Sequence, residues 1–390
     1  MTTAATGLPP QQSLAERFSS ADWSLLAEAG RDRQFHPYPA RYVPALPRQV
    51  LELLDARTGV VLDPFCGSGT TLMEARRRGL PSIGVDINPV ACLISRVRTS
   101  SWVEGDDMAA ARHRSALTAA ALAATEVGGE FGDIPRLDHW FPHYAQVALS
   151  GAVRYVRSLP LEDPWRDRVA ASVSAATVKV SRQDSDTRYA AIDKAGDQVS
   201  VAKALGDALA RTAAWLQTHA VPADNPATVE VNVGDARRLS GVPDESVSVA
   251  CFSPPYPNAY EYWLYHKYRM YWLGFDAVAV REAEIGARPH YSKKNGLTEV
   301  DFARQMREVF DELARASRPG ARTVVIVGDS VIGGRQIDNG TLLSDVAVSS
   351  GFTVDYQGAR DIAMTRSSFN RAHSRGRRTE HVLVFSRRPA

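Results

Sequence analysis

Two strand-to-helix units in the first quarter of the chain restrict what it can fold into. Residues 60–62 form a short apolar run typical of a buried strand, a glycine-rich turn follows, and residues 70–78 carry a helical pattern with a basic end. Residues 82–85 predict a second strand and residues 89–98 a second helix. Because this alternation is typical of parallel sheets covered by helices, we predict an α/β protein.

The strand signals stop for about 120 residues and then resume. Between them the chain is rich in alanine and predicts helices near 106–125, 143–158, 164–180 and 198–219, with no strand run. Further strands are predicted at 229–233, 247–252, 323–327, 352–354 and 381–385. We therefore expect a seven-stranded, mostly parallel sheet with a helical insertion. The predicted divisions are a mobile leader at 1–22, a first sheet segment at 23–103, the insertion at 104–224 and a second sheet segment at 225–390.

Composition places the chain among globular proteins and limits its partners. Its 390 residues are 44% apolar, and a net charge of +2 gives no overall preference for a polyanion. From Gln357 onward, however, eight arginines face two acidic residues, which favours contact with a phosphate backbone. The three cysteines form no CxxC pair and have no histidine at ligand spacing, so we expect no disulfide and no metal site. No export signal or apolar run of about 18 residues is present, which predicts a cytoplasmic protein without a membrane span.

The turn after the first strand has the features of a ligand site. It spans Asp63 to Thr71, and its glycines allow a ligand to approach main-chain N–H groups at the start of a helix. Asp86 ends the next strand, at the spacing of the ribose-binding acid in nucleotide sites, and Asp235 follows a third strand. A purely structural turn or another metabolite site is the alternative, and the lack of a GxGxxG pattern disfavours a nicotinamide cofactor.

A second loop, Ser253-Pro254-Pro255-Tyr256, follows the apolar strand at 247–252. The Ser253 oxygen and the Pro254 carbonyl offer two hydrogen-bond acceptors to an amino group, and the prolines keep this wall stiff because they restrict φ. Tyr256 offers a ring on which a planar base can stack, and whose face favours a nearby positive charge. A plain loop after a strand is the simpler interpretation when the prolines and tyrosine stand alone.

The two loops together resemble the signature motifs of the S-adenosylmethionine-dependent amino-methyltransferases of DNA, the N4-cytosine/N6-adenine family of the SPPY type. The resemblance implies a Rossmann-like methyltransferase fold, S-adenosylmethionine as methyl donor, and DNA from which the target base is flipped. Serine in the first position points to the exocyclic N4 amine of cytosine. Adenine-N6 transfer, which usually has Asp or Asn there, is the nearest alternative. An RNA guanine-N2 methyltransferase or a catalytically silent DNA-binding protein is more distant.

The resemblance also implies residue roles. Residues 35–44 resemble the segment that closes over the donor's carboxylate end, although an ordinary surface loop is equally compatible with them. Asp86 would hold the ribose and Asp235 would lie at the adenine. The implied donor-binding residues are Tyr38, Pro39, Ala40, Asp63, Pro64, Phe65, Gly67, Gly69, Thr70, Asp86, Asn88, Asp235 and Ala236. The implied catalytic residues are Ser253, Pro254, Pro255 and Tyr256, and the implied DNA contacts are Tyr260, Tyr262, Arg288, Lys293, Arg371, Arg375, Arg377 and Arg378.

Target recognition is expected either from the insertion or from the loop 284–294. DNA is the implied partner, and a cognate restriction endonuclease or another defence-system partner is left open. A DNA-modifying enzyme of this type would be nucleoid-associated.

Overall fold

A computed structural model describes residues 12–23, 34–39, 41, 43–129, 131, 134–186, 188–257, 261–291, 296–362 and 378–389. The helices of the described residues are α1 (Leu14–Ser20), α2 (Ala45–Leu53), α3 (Thr70–Arg77), α4 (Pro89–Arg98), α5 (Asp106–Ala123), α6 (Leu137–Trp140), α7 (His143–Ser158), α8 (Pro164–Val180), α9 (Gln198–His219), α10 (Tyr262–Leu273), α11 (Ala277–Ala283), α12 (Arg288–Tyr291), α13 (Glu299–Ala316) and α14 (Asn339–Ser349). The strands are β1 (Val60–Asp63), β2 (Ser82–Asp86), β3 (Gln183–Ser185), β4 (Arg188–Ala191), β5 (Val229–Val233), β6 (Val247–Phe252), β7 (Ser317–Gly328), β8 (Ser330–Ile332), β9 (Arg335–Ile337), β10 (Phe352–Ile362) and β11 (Arg378–Arg387).

Seven strands form one sheet in the order β10-β11-β7-β6-β1-β2-β5. Strand β11 is antiparallel to both of its neighbours, and the remaining neighbours pair in parallel. The order corresponds to the doubly wound arrangement of dinucleotide-binding folds, with one antiparallel strand inserted near the edge. The predicted Rossmann-like methyltransferase fold, with a mostly parallel sheet of seven strands, is therefore confirmed.

The strand order reverses between β1 and β6, in the middle of the sheet. Along the chain, β1 is followed by β2 on one side, whereas β6 is followed by β7 on the other. Every residue of β6 is buried, as expected for a central strand covered on both faces. Because the loops after β1 and β6 diverge, they open a crevice at the carboxyl ends of the strands, which is where such sheets bind ligands.

Helices cover both faces of the sheet. On one face, α13 begins with a capping box between Thr298 and Asp301 and buries a helical stripe that includes Phe302, Met306 and Phe310 against the strands. On the other face, α1 and α2 bury their apolar residues against β1, β6 and β7. None of the helices within the described residues is long and apolar enough to cross a membrane.

The helical insertion packs directly on the helices that flank the sheet. Leu149, Trp165 and Leu205 of the insertion share one hydrophobic core with Val90 of α4 and Trp272 of α10. This core joins the predicted insertion to helices that precede and follow it in the chain. It therefore fixes the insertion beside the turn from Asp63 to Thr71, which is called the donor turn below.

Two predictions about irregular segments differ from the structure. Residues 14–20, expected to lie in a leader without regular structure, form α1, because Ser13 and Glu16 make a capping box and Phe18 is fully buried. The insertion, expected to lack strands, contains the antiparallel hairpin β3–β4, in which Ser185 pairs with Arg188. Strands of three and four residues are too short for a period of two to be visible in the sequence.

Other elements were absent from the prediction. The sequence patterns predicted no element at α13, α14 or the hairpin β8–β9, and α12 lies inside the loop expected at 284–294. The signal for α13 is nevertheless present, because its capping box precedes apolar residues at positions 302, 306, 309, 310 and 313.

Candidate active site

The donor turn connects β1 to α3 and is held in a conformation that requires glycine. Gly67 and Gly69 have φ of 49° and 78°, and a Cβ on Gly69 would lie 2.8 Å from the Ser95 oxygen. Asp63 is 1% exposed, and its Oδ1 accepts a hydrogen bond from the Phe65 N–H at 3.1 Å. The carboxylate therefore stabilises the turn from within, and the two glycines let the Tyr38 and Ser95 side chains pack closely against it.

Asp86 joins the donor turn to the end of β2. Its Oδ2 accepts the Gly67 N–H at 2.9 Å and its Oδ1 accepts the Asn88 N–H at 2.8 Å, while the Asn88 side chain caps α4 at Val90. Burial raises the pKa of Asp86 to about 6, and the hydrogen bonds from Asn88 and Gly67 oppose this shift. A carboxylate has about four acceptor positions, so these two bonds leave room for ribose hydroxyls.

Tyr38 covers the donor turn. Its hydroxyl would lie 3.1 Å from a Cβ placed on Gly67, and its ring stacks on Tyr262 and His266 with centroid distances of 6.1 and 5.1 Å. Burial, followed by the charge of Asp86, raises the pKa of the Tyr38 hydroxyl. The structure thus brings this predicted residue to Gly67; Pro39 follows it, and Ala40 lies outside the described residues.

Glu284 is a buried carboxylate at this site that the sequence analysis passed over. It is 5% exposed, and its two oxygens accept the main-chain N–H groups of Tyr262 and Trp263, each at 2.8 Å. Burial raises its pKa to about 8; the two N–H groups oppose the shift, and the charges of Asp86 and Glu261 add to it. Glu284 caps the start of α10 through residues that lie 22 and 21 positions before it, so its role is not visible in the local sequence.

Asp235 and Ala236 lie after β5, on the other side of β2. The Asp235 carboxylate accepts hydrogen bonds from the Arg237 main chain at 2.9 Å and from its guanidinium at 2.6 Å. Ala236 is buried. The sequence did not indicate the pairing with Arg237, and an adenine contact at Asp235 remains a prediction.

The loop from Ser253 to Tyr256, called the transfer loop below, follows β6, and two glycines pack against it from different sides. A Cβ on Gly286, whose φ is 77°, would lie 3.0 Å from the Tyr256 carbonyl oxygen, and a Cβ on Gly328 would lie 3.1 Å from the Tyr256 ring. Pro254 is buried, whereas Pro255 and Tyr256 are partly exposed. The loop is therefore fixed by close packing on its main chain and on its aromatic ring.

Tyr256 is hydrogen-bonded at its hydroxyl. The Ser253 Oγ lies 3.4 Å from it, and the hydroxyl donates to Glu380 Oε1 at 3.3 Å. Burial raises the pKa of Tyr256, the charge of Glu380 adds to this, and the bond with Ser253 opposes it. Glu380 stands in β11, and nothing in its neighbourhood in the sequence connects it to the transfer loop.

The residues predicted to contact DNA are described only in part. Tyr262 begins α10 and stacks on Tyr38, and Arg288 is exposed on α12. Arg378 lies at the start of β11. Tyr260, Lys293, Arg371, Arg375 and Arg377 lie outside the described residues.

Among the described residues, one group could hold a metal ion: Asp329, Asp338 and His381. The His381 Nε2 lies 2.8 Å from Asp329 Oδ1 and 3.7 Å from Asp338 Oδ1. Asp338 is already the N-cap of α14, and Asp329 accepts a hydrogen bond from Gln336. These contacts within the protein account for both carboxylates.

Comparison with known proteins finds a family model that matches the segment containing the donor turn. Residues 13–96 match the family model described as DNA methylase, N6_N4_Mtase. The resemblance indicated by the sequence motifs is thereby confirmed over the segment from α1 to α4, and it begins before residue 35, where the sequence motifs had placed it.

The individual relatives match over short segments. The chain is 36% identical over 88 residues to the Type II methyltransferase M.MjaII of Methanocaldococcus jannaschii, and the match covers 21% of this chain and 17% of the relative. It is 28% identical over 124 residues to the Type II methyltransferase M.MvaI of Kocuria varians, covering 30% and 27% of the two chains. The chain thus spans less than a third of the length of these relatives. A solved SAM-dependent methyltransferase from Methanosarcina mazei has 11% identity and a TM-score of 0.33, with 91% and 100% of the two chains covered.

Proposed function

We propose that the chain is a DNA methyltransferase that transfers a methyl group from S-adenosylmethionine to the N4 amine of a flipped cytosine. The observation that carries this proposal is the position of the two loops. The turn with Gly67 follows β1 and the loop with Ser253 follows β6, on the two sides of the point where the strand order reverses. A ligand at the donor turn and an amine at Ser253 would share one crevice.

The donor turn fits S-adenosylmethionine by its chemistry. Gly67 carries no Cβ that would crowd the turn beside Tyr38, and Asp86 offers acceptor positions for ribose hydroxyls. Tyr38 supplies an aromatic wall over the turn. When bound, S-adenosylmethionine supplies a methyl group on a sulfonium, and it leaves as S-adenosylhomocysteine when the amine nitrogen bonds to that carbon.

The transfer loop provides what the amine needs. The lone pair of an exocyclic amine is delocalised into the base, so two N–H bonds must be held out of the ring plane before the nitrogen can attack. Ser253 Oγ and the Pro254 carbonyl can accept these two bonds, and the nitrogen loses one proton to solvent after the N–C bond has formed. Catalysis of this kind rests on positioning, and the stiff prolines favour it.

The choice of cytosine rests on Ser253 alone. Adenine-N6 transfer by the same crevice is the second candidate, and it requires the same two acceptors. The DNA methylase match of residues 13–96 supports DNA as the substrate without choosing between the two bases.

Expression in a host without DNA methylation, followed by mass spectrometry of nucleosides, tests the proposal. N4-methylcytosine is expected with the wild-type chain and should be absent with Ser253→Ala, which serves as the matched control. N6-methyladenine alone would refute the base assignment. Methylated RNA with unmodified DNA would refute DNA as the substrate.

A further inference from the structure

Three neighbouring strands place Arg360, Glu380 and Gly328 in one row behind the transfer loop. Arg360 of β10 pairs with Glu380 of β11, and Glu380 pairs with Gly328 of β7. Residues directly opposite each other on neighbouring strands share a face of the sheet. Gly328 has no side chain on that face, and the Tyr256 ring lies over it. The Tyr256 ring can therefore pass over β7 and reach Glu380 of β11 on the same face of the sheet.

At the Arg360 end of this row, the donor and the acceptor of each hydrogen bond are fixed, because a guanidinium can only donate. Arg360 Nε donates to Glu380 Oε2 at 2.6 Å, a second guanidinium nitrogen contacts the same oxygen, and Arg360 Nη1 donates to the Trp23 carbonyl at 3.2 Å. Glu380 is 6% exposed. A carboxylate paired with a guanidinium accepts hydrogen bonds and donates none. The Tyr256 hydroxyl at Oε1 must therefore be the donor.

The donor role of the Tyr256 hydroxyl also determines the role of the Ser253 hydroxyl. A phenol has one proton, and once that proton is directed at Glu380, only lone pairs of the Tyr256 oxygen remain for Ser253 Oγ at 3.4 Å. The Ser253 hydroxyl must then donate to Tyr256, and its own lone pairs remain available. Without this constraint a serine hydroxyl can equally present its proton, which an amine cannot use when it is to donate both N–H bonds.

We propose that Arg360 and Glu380 are positioning residues of the transfer site, which orient the hydroxyls of Tyr256 and Ser253 so that Ser253 faces the target amine as an acceptor. This inference rests on the proposed function, because it assumes that an amine donates to Ser253. It assigns to β10 and β11 a role in the reaction that neither strand's sequence indicates.

The test compares Glu380→Gln with Glu308→Gln. Glutamine keeps the shape of Glu380 but can turn its NH2 group toward Tyr256, so the direction of the bonds is no longer fixed. Glu308 is 47% exposed and lies 3.9 Å from Arg304, with which it forms a surface pair on α13. Initial rates are measured with labelled S-adenosylmethionine and DNA extracted from a methylation-free host, and donor binding is measured by calorimetry without DNA.

Glu380→Gln should lower kcat about ten- to hundredfold, as expected for one hydrogen bond to a charged group, while donor Kd and KM for DNA change less than about threefold. Glu308→Gln should match the wild type. In a double-variant cycle, Glu380→Gln should add no further loss to Tyr256→Phe, because both act through the same hydroxyl. The proposal would be overturned if the kcat losses of the two single variants multiplied in the double variant. An unchanged kcat of Glu380→Gln would also overturn it.

Tyr256→Phe also provides a test should Glu380→Gln fail to fold, because it removes one oxygen and leaves the Arg360–Glu380 pair in place. About tenfold lower kcat with unchanged donor binding is expected, and wild-type kcat would refute the role of the row. A wild-type chain that methylates neither base would instead refute the proposed function. The two failures are therefore distinguishable.

Discussion

Replacement of Glu284 by glutamine should remove a pH dependence of stability that the wild-type chain shows above neutrality. The pKa of Glu284 is raised to about 8 in the folded chain, against 4.5 for an ordinary glutamate. Since the folded pKa is the higher one, the stabilisation is complete below the unfolded pKa and is lost as pH rises toward the folded pKa. Between pH 6.5 and 8 the unfolded chain has already released this proton, whereas the folded chain largely retains it.

The expected loss over this interval is about 2 kcal/mol, from 1.36 kcal/mol per pH unit with a small correction near pH 8. Asp86, whose pKa is raised to about 6, contributes little above pH 6.5. Burial lowers the pKa values of His36 and His266, and these groups give the opposite slope; they are common to both proteins and cancel in the difference.

Chemical denaturation of the wild type and of Glu284→Gln at pH 6.5 and 8 measures this difference. At pH 6.5 the variant should be less stable by about 1–3 kcal/mol, because the glutamine oxygen can accept only one of the two main-chain N–H groups and its NH2 group leaves the other without an acceptor. At pH 8 the variant should have gained about 2 kcal/mol relative to the wild type. Parallel pH profiles would refute the assignment of a proton to Glu284.

The remaining predictions concern the two loops. Asp63→Ala should abolish measurable donor binding by loosening the donor turn, whereas Tyr256→Ala should keep the donor Kd and lose transfer; equal loss of binding in both would contradict the division of roles. Donor binding should weaken as pH falls through about 6, because protonated Asp86 is a poorer acceptor for ribose hydroxyls, and a calorimetric titration of Asp86→Asn should show a flat profile. Gly328→Ala should lower kcat about tenfold through a shift of a few tenths of an ångström in the Tyr256 ring, with little change in donor Kd. Full activity of this variant would show that the ring can move without consequence.

The sheet and the two loops were predictable because their signals are local. Residues 60–62 and 247–252 are apolar strands, and the residues after them carry chemistry that recurs in short motifs. Helix α4 was predicted at its observed bounds, since Asn88 and Pro89 are strong start signals and the apolar pattern ends at Arg98.

The missing parts depend on contacts between distant residues. Glu284 becomes part of the site only because it caps α10, which begins 22 residues before it, and Glu380 reaches Tyr256 over a separation of 124 residues. Neither residue stands in a pattern that a single sequence reveals. The small strands β3 and β4 were missed for a different reason, because three or four residues contain too little periodicity.

The core shared by α4, α10 and the helical insertion limits how the insertion can be exchanged. Val90 and Leu93 of α4 are covered by the insertion, so its removal would expose an apolar surface beside the donor turn. An insertion grafted from another protein would therefore have to bring an apolar face complementary to α4 and α10. Recombination at residues 104 and 224 alone should therefore yield aggregation-prone chimeras.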